Sequence, residues 1–210
     1  MNRPMERVSA SQAAAMREQL SVWRDVQSVR SLLDKMAEPH GFYAVSQGNM
    51  QFWREAHCAC DFATAQGADA LRLCEGNRPD FELRIGGSVV PCELAELRDP
   101  VSRTGREYEV AADQHNRGEK LPVEPFEVDG HKLWLKERLE AAVSSKANKG
   151  YDPATVLAVY IHAWIFPDQW EQAARVIGEV TAPHAHVFSA IWVLGSGRLY
   201  SVSVKQGWRH

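Results

Sequence analysis

Apolar side chains at Met16, Leu20, Trp23, Val26, Leu33 and Met36 recur at helical spacing from about residue 12 to about residue 37, and the pattern stops before Pro39 and Gly41. This predicts one N-terminal helix over 12–38, packed on the core or on a partner chain. Asn49 suits the N-cap of a second helix running to about Gly67, and Leu71, Leu73 and the alternating run over 80–95 then predict three strands. Between Arg98 and about His131 the chain turns polar: Arg103, Arg106, Arg117 and Lys120 stand among acidic residues and prolines, the pattern of a mobile loop or lid. Apolar periodicity returns in a helix from about Lys132 to Asn148, closed by Gly150. An apolar, β-branched strand follows at 155–161, and Pro167 suits the first turn of a helix reaching about Val180. The chain finishes in a hairpin, 187–194 with 198–204, around Gly195-Ser196-Gly197. The predicted class is α/β (α+β), in a single domain over 1–210 whose core spans 49–162 and whose extension spans 163–210.

The run Asp80-Phe81-Glu82-Leu83-Arg84-Ile85-Gly86-Gly87-Ser88-Val89-Val90-Pro91-Cys92-Glu93 reads as two strands joined by a two-residue Gly-Gly turn. A tight turn sets Ile85 opposite Ser88 and, counted outward, Asp80 opposite Glu93. Phe81, Leu83, Ile85, Val90, Cys92 and Leu94 then share one face, and Asp80, Glu82, Arg84, Pro91, Glu93 and Ala95 share the other. The first face is core; the second is chemistry or solvent. The 80/93 pair falls in a non-hydrogen-bonded site, where opposing Cα atoms are about 4.5 Å apart. Like charges held there are destabilising unless something neutralises them. A cation between the carboxylates and simple solvation on an exposed sheet face are the two readings, and a bulge would break this register.

Composition narrows the classes. A chain of 210 residues with 45% hydrophobic content can bury a sizeable core. It shows no apolar run of the ~18 residues a membrane span needs and no signal-peptide pattern, so the expectation is a cytoplasmic protein with no membrane contact. The formal charge of −3 argues against nonspecific coating of nucleic acid, though not against a local basic groove. The four cysteines lack Cys-x-x-Cys spacing and read as small core residues. His57, Cys58 and Cys60 make a weak zinc pattern, because positions two apart on a helix point to different sides. His184-Ala185-His186 lies in a predicted loop. The seven tryptophans are spread through helices and strands, and Trp134 and Trp164 read as core.

From Asn49 to His162 the predicted order is helix, three strands, helix, strand, with Pro79-Asp80 and Glu93-Leu94-Ala95 in its middle. This resembles the PD-(D/E)XK nuclease superfamily over about half the chain. The resemblance implies a restriction-endonuclease-like αβββαβ core and a Mg²⁺- or Mn²⁺-dependent endonuclease hydrolysing phosphodiester bonds in DNA. It implies that Asp80, Glu93 and the backbone carbonyl of Leu94 hold the cation, with Glu55 of the preceding helix completing the shell; a helix-surface salt bridge is the other reading of Glu55. The third motif position departs from the family, with Ala95 where the family has lysine. Some members supply that lysine from the following helix, and Lys146 is the candidate here. At about 100° per residue, Leu135, Leu139, Ala142 and Lys146 share one stripe, so Lys146 extends the buried face. Otherwise Lys146, in the last turn, favours the helix dipole and reaches solvent. Arg103, Arg106, Lys149 and Tyr151 are candidate contacts to nucleic-acid phosphates. The alternative function is a catalytically degenerate nuclease fold that binds protein or nucleic acid, with a homodimer or protein partner held by the N-terminal helix.

Overall fold

Gly86 and Gly87 take φ of 54° and 80°, the backbone that a two-residue turn matching strand twist requires. They join β3 (Phe81–Ile85) to β4 (Ser88–Leu97). The register pairs Ile85 with Ser88, Leu83 with Val90 and Phe81 with Cys92, as the sequence predicts. The computed structural model describes residues 4–76, 78–98, 105–119, 131–162, 165, 169–203 and 207–209.

Around this hairpin lies one mixed sheet of eight strands in chain order. β1 (Arg24–Asp25) and β2 (Ala70–Leu73) precede the hairpin; β5 (Val156–Ile161), β6 (Ala190–Gly195), β7 (Arg198–Ser203) and β8 (Gly207–Arg209) follow it. Pairing is antiparallel from β1 to β4, parallel from β4 through β5 to β6, and antiparallel again to β8. Parallel neighbours need crossovers, and these include α6 (His131–Ala147) before β5 and α7 (Trp170–Thr181) before β6. Pro91 sits just ahead of the first β4–β5 pair, Cys92 with Val156, so its missing N–H takes no donor from the parallel ladder.

Helices cover both faces. On one, α1 (Ala10–Leu20), α2 (Val26–Ala37) and α4 (Gln51–Ala65) bury Leu33, Phe62, Phe81, Leu83, Cys92 and Leu94 in a common cluster. On the other, α6 and α7 bury Ala95, Leu139, Val143, Leu157, Val159, Ile177 and Val193. The hairpin face expected to be chemistry or solvent is therefore core from Ala95 onward. Glu93, two residues before Ala95 on that face, is the buried charged residue of the stretch. The described part of the chain is thus mixed α/β, and none of its helices is long and apolar enough to cross a membrane.

Three expectations need correction. The single N-terminal helix is two: the Ser21 hydroxyl donates back to the Glu18 carbonyl at the end of α1, and Asp25 restarts the chain by accepting the Ser28 amide at 2.9 Å as N-cap of α2. Leu20, Val29, Leu33 and Met36 are all buried in the chain's own core, so the apolar stripe expected for the core or a partner is used internally. Asn49 does not cap the second helix. It lies in a short 3₁₀ turn and donates to the Val8 carbonyl at 3.0 Å, while Met50 takes the cap position of α4 without a side-chain bond. Finally, the polar stretch holds a helix, α5 (Gly105–Asn116), which packs on α3 (Phe42–Ser46) through Phe42 against Tyr108 and through the Tyr43 hydroxyl on Asp113. Its buried residues include Ala111 and Ala112, too small to mark an apolar stripe, and its docking site is remote in sequence. The start at Pro167 lies outside the described residues, and α7 opens at Trp170.

Candidate functional site

The hairpin register ends at Phe81↔Cys92. One residue earlier, the Asp80 amide donates to the Cys92 carbonyl at 3.0 Å, and the Asp80 carbonyl accepts the Cys74 amide at 3.0 Å. Asp80 therefore does not sit squarely opposite Glu93; the strand bends there. Instead its Oδ2 accepts the Leu94 amide at 2.7 Å, so the carboxylate occupies the ladder position that β3 has vacated. β4 runs on past this point against β5. Because the N–H and C=O of one strand residue point the same way, the Leu94 carbonyl also faces the edge that Asp80 occupies.

Glu93 projects from the same stretch toward α6 and is only 4% exposed. The phase of α6 brings Lys146 onto it: Nζ lies 2.6 Å from Glu93 Oε1 and 3.8 Å from Asp80 Oδ2, with the side chain 18% exposed. Leu135, Leu139 and Val143 are buried on that helix and Ala142 packs beside them, so the stripe read from the sequence is the one that docks. The Tyr151 hydroxyl, just beyond the turn after α6, donates to the same Oε1 at 2.9 Å. Its ring packs on Phe188 and under the Arg78 guanidinium, at 4.7 Å, and Arg78 donates to the Lys149 carbonyl at 2.8 Å. Ala95, two residues beyond Glu93 and buried in the cluster that α6 covers, carries no competing long side chain.

Oε2 of Glu93 is buried and has no hydrogen-bond partner. A buried carboxylate oxygen left unpaired is costly, and this one adjoins a second carboxylate. Burial, followed by the charges of Glu93 and Glu55, pushes the Asp80 carboxyl up to about 6, against the Leu94 amide and Lys146, which favour its ionised form. Burial and then the hydrogen bond to Glu93 raise the Tyr151 hydroxyl well above its usual value, so it acts as a donor. One ammonium thus serves carboxylates that outnumber it. An orphaned carboxylate oxygen, a second carboxylate and a strand-edge carbonyl are hard oxygen donors, and that set fits Mg²⁺ or Mn²⁺.

The structure brings together Asp80, Glu93, Leu94 and Lys146 of the predicted set. Glu55 lies on α4 near enough for its charge to act on Asp80, while its carboxylate accepts Gln51 Nε2 at 2.8 Å. Tyr151, expected to contact phosphate, is turned onto Glu93. Lys149 is exposed at the rim and contributes its carbonyl to Arg78. Arg103 lies outside the described residues, as does the side chain of Arg106, whose backbone is in the first turn of α5. Arg78 was not anticipated; its place two residues before Asp80 was the available signal. His184 and His186 are apart from this site, with His184 Nε2 3.4 Å from the Ser144 hydroxyl. All four cysteines are unpaired thiols. Searches against known protein families, characterised proteins and solved structures return no match for this chain.

Proposed function

We propose that the chain is a metal-dependent phosphodiesterase acting on DNA, with Asp80, Glu93 and the Leu94 carbonyl as cation ligands and Lys146 as the residue that replaces the missing motif lysine. The observation that carries the reading is the orphaned, buried Oε2 of Glu93 beside Asp80, with Lys146 delivered to the same carboxylates from α6. A bound Mg²⁺ or Mn²⁺ supplies Lewis-acid polarisation of the scissile phosphate and a more acidic attacking water. The chain's own residues do the rest. Asp80 is held in place by the Leu94 amide, so its free oxygen is presented without a search over rotamers. Tyr151 fixes Glu93 by donating to Oε1, and the unpartnered Oε2 would be the atom left to hold a cation. Lys146, 2.6 Å from Glu93 and 3.8 Å from Asp80, would place a positive charge where negative charge develops on the phosphoryl oxygens. Arg78 braces the Tyr151 ring and the turn at Lys149, keeping the α6 end of the site fixed.

Manganese titration by calorimetry on the wild type and on Asp80→Ala with Glu93→Ala, followed by plasmid nicking on the wild type and Lys146→Ala, tests this directly. One cation bound by the wild type and none by the double variant, with nicking lost in Lys146→Ala, is the expected result; absence of any cation binding at this pair overturns it.

A second reading is favoured by one distance. Lys146 lies 2.6 Å from Glu93 and so neutralises that carboxylate internally, which suits a catalytically degenerate fold acting as a protein- or nucleic-acid-binding module. In that case the wild type binds manganese without nicking DNA.

A further inference from the structure

On the opposite face of β4, three residues along, Glu96 points toward α4. Its Oε2 lies 2.7 Å from His162 Nε2 at the end of β5 and 3.0 Å from Arg98. The thiol of Cys58, from α4, completes a group whose sulfur, oxygen and nitrogen atoms all lie within 4.8 Å of one another. Cys58 and His162 open on a cavity of about 340 Å³ that is also lined by Trp53, Arg54, His57 and Tyr108.

We infer that Cys58, Glu96 and His162 form a second cation site, separate from the Asp80 and Glu93 pair, and that it takes zinc. The donor set decides the ion. A thiolate and an imidazole bind a borderline-soft cation far better than Mg²⁺ or Mn²⁺, and three protein ligands of these types with an open side match the usual zinc arrangement in which a fourth position faces a cavity. The cavity is chemically unfinished in the same sense. Two buried polar atoms of residues that line it, Arg54 Nε and His57 Nε2, have no hydrogen-bond partner.

Arg54 and Arg98 are the objection, since two guanidiniums oppose a divalent cation. The Cys58 thiolate and the Glu96 carboxylate together offset the two charges of the ion, Arg98 is held on that carboxylate at 3.0 Å, and Arg54 Nη1 is turned onto the Val45 and Gln47 carbonyls. Burial pushes the Cys58 thiol up, with Glu96 and Asp61 adding to it, so the sulfur is a neutral thiol in the free protein. Coordination forms the sulfur–zinc bond and releases that proton to solvent. Glu96 stays ionised: burial acts to raise its carboxyl, but the hydrogen bonds from His162 and Arg98 outweigh it and hold it down to about 2. Zinc binding exchanges the His162 to Glu96 hydrogen bond for two metal bonds, with the Nε2 proton given up as the imidazole takes its Nδ1–H tautomer, and leaves Arg98 to orient the carboxylate from behind.

The experiment loads the full chain with zinc or cobalt(II), desalts it, and measures metal content and the near-ultraviolet thiolate-to-cobalt charge-transfer band. The variants are Cys58→Ser, His162→Gln, and Asp80→Ala with Glu93→Ala. Expected are one zinc per chain retained in excess Mg²⁺, a thiolate band absent from Cys58→Ser, and affinity at least about 100-fold weaker in His162→Gln. The double variant keeps its zinc, which separates this site from the proposed catalytic pair. His162 is partly exposed, so His162→Gln remains informative if Cys58→Ser fails to fold. No retained zinc, or zinc binding unchanged in His162→Gln, or binding lost only in the Asp80 and Glu93 variant, overturns the proposal.

Discussion

Lys146→Met separates the structural role of the lysine from its proposed chemical one. In the metal-free protein, Lys146 is the cation shared by two carboxylates, one nearly buried at 4% exposure. Removing one partner of a buried ion pair costs about 3–5 kcal/mol. Here the cost is smaller, because Tyr151 still donates to Glu93, the Leu94 amide still serves Asp80, and the lysine is itself 18% exposed. A loss of about 2–3 kcal/mol follows, which in a domain of this size lowers Tm by roughly 5–10 °C in EDTA. Methionine keeps the apolar stem that packs on the α6 stripe, so little of this comes from lost contacts. Manganese should then narrow the difference. Lysine and metal compete for the charge of the same two carboxylates, so the variant gains more from the ion than the wild type does: at about 100 times Kd the gain is about 2.7 kcal/mol. Nicking, by contrast, should fall by about 100-fold or more, the usual effect of removing one group that stabilises transition-state charge. Differential scanning fluorimetry in EDTA and in graded Mn²⁺, beside a nicking assay, reads all three. The reasoning is refuted if Lys146→Met melts with the wild type in EDTA, or if its manganese-induced shift is no larger.

The pH dependence of the metal-free protein should run opposite to that of an ordinary aspartate. The Asp80 carboxyl is raised from 3.8 to about 6 in the folded state, so its contribution is fully present below about 4 and is lost as pH rises through 6, by roughly 2–3 kcal/mol in all. Urea unfolding in EDTA at pH 4.5 and pH 7.5 should show this difference in the wild type relative to Asp80→Asn, and parallel profiles for the two would contradict it. Tyr151→Phe removes one hydrogen bond from Glu93 while keeping the ring under Arg78; it should cost about 1 kcal/mol in chemical denaturation and weaken manganese binding in calorimetry, and an unaltered isotherm would show that Tyr151 does not orient the carboxylate. Leu139→Ala, at a fully buried position on the stripe that carries Lys146, should cost about 2–5 kcal/mol and lower nicking through displacement of α6, so a stable protein with full activity would disconnect the helix from the site.

What the sequence revealed and what it hid follow from range. The hairpin was legible because its information is local: Gly86 and Gly87 dictate the turn, and alternation fixes which faces Phe81 and Glu93 occupy. Lys146 was legible because helical phase extends from Leu135 and Leu139 over only a few turns. The break between α1 and α2 was not, because the apolar stripe runs through it and only the capping bonds of Ser21 and Asp25 decide continuity. α5 was hidden for the opposite reason, since its polar sequence carries little apolar period and it docks on α3 from far along the chain. Arg78 and the grouping of Cys58, Glu96 and His162 depend on contacts between elements that no spacing encodes.

The bend at Asp80 shows how the local rule failed usefully. Pairing Asp80 squarely with Glu93 would have spent the Asp80 position on ordinary strand geometry, with two carboxylates crowded face to face. Ending the ladder one residue early lets the Asp80 carboxylate take the amide of Leu94 instead. That bond anchors one oxygen, leaves β4 to continue alone against β5, and exposes a strand edge between the carboxylates and the end of α6. A lysine at position 95 would reach this edge from within the strand; alanine there leaves the space to a side chain from the helix. The cation partner of the carboxylates thereby comes from a long, 18% exposed side chain on a helix, whereas the carboxylates themselves are held by the Leu94 amide and the Tyr151 hydroxyl. Fixed ligands beside a flexible charged side chain are what a site needs if the charge on Glu93 is to pass from lysine to metal, and this is the property the Lys146→Met comparison measures.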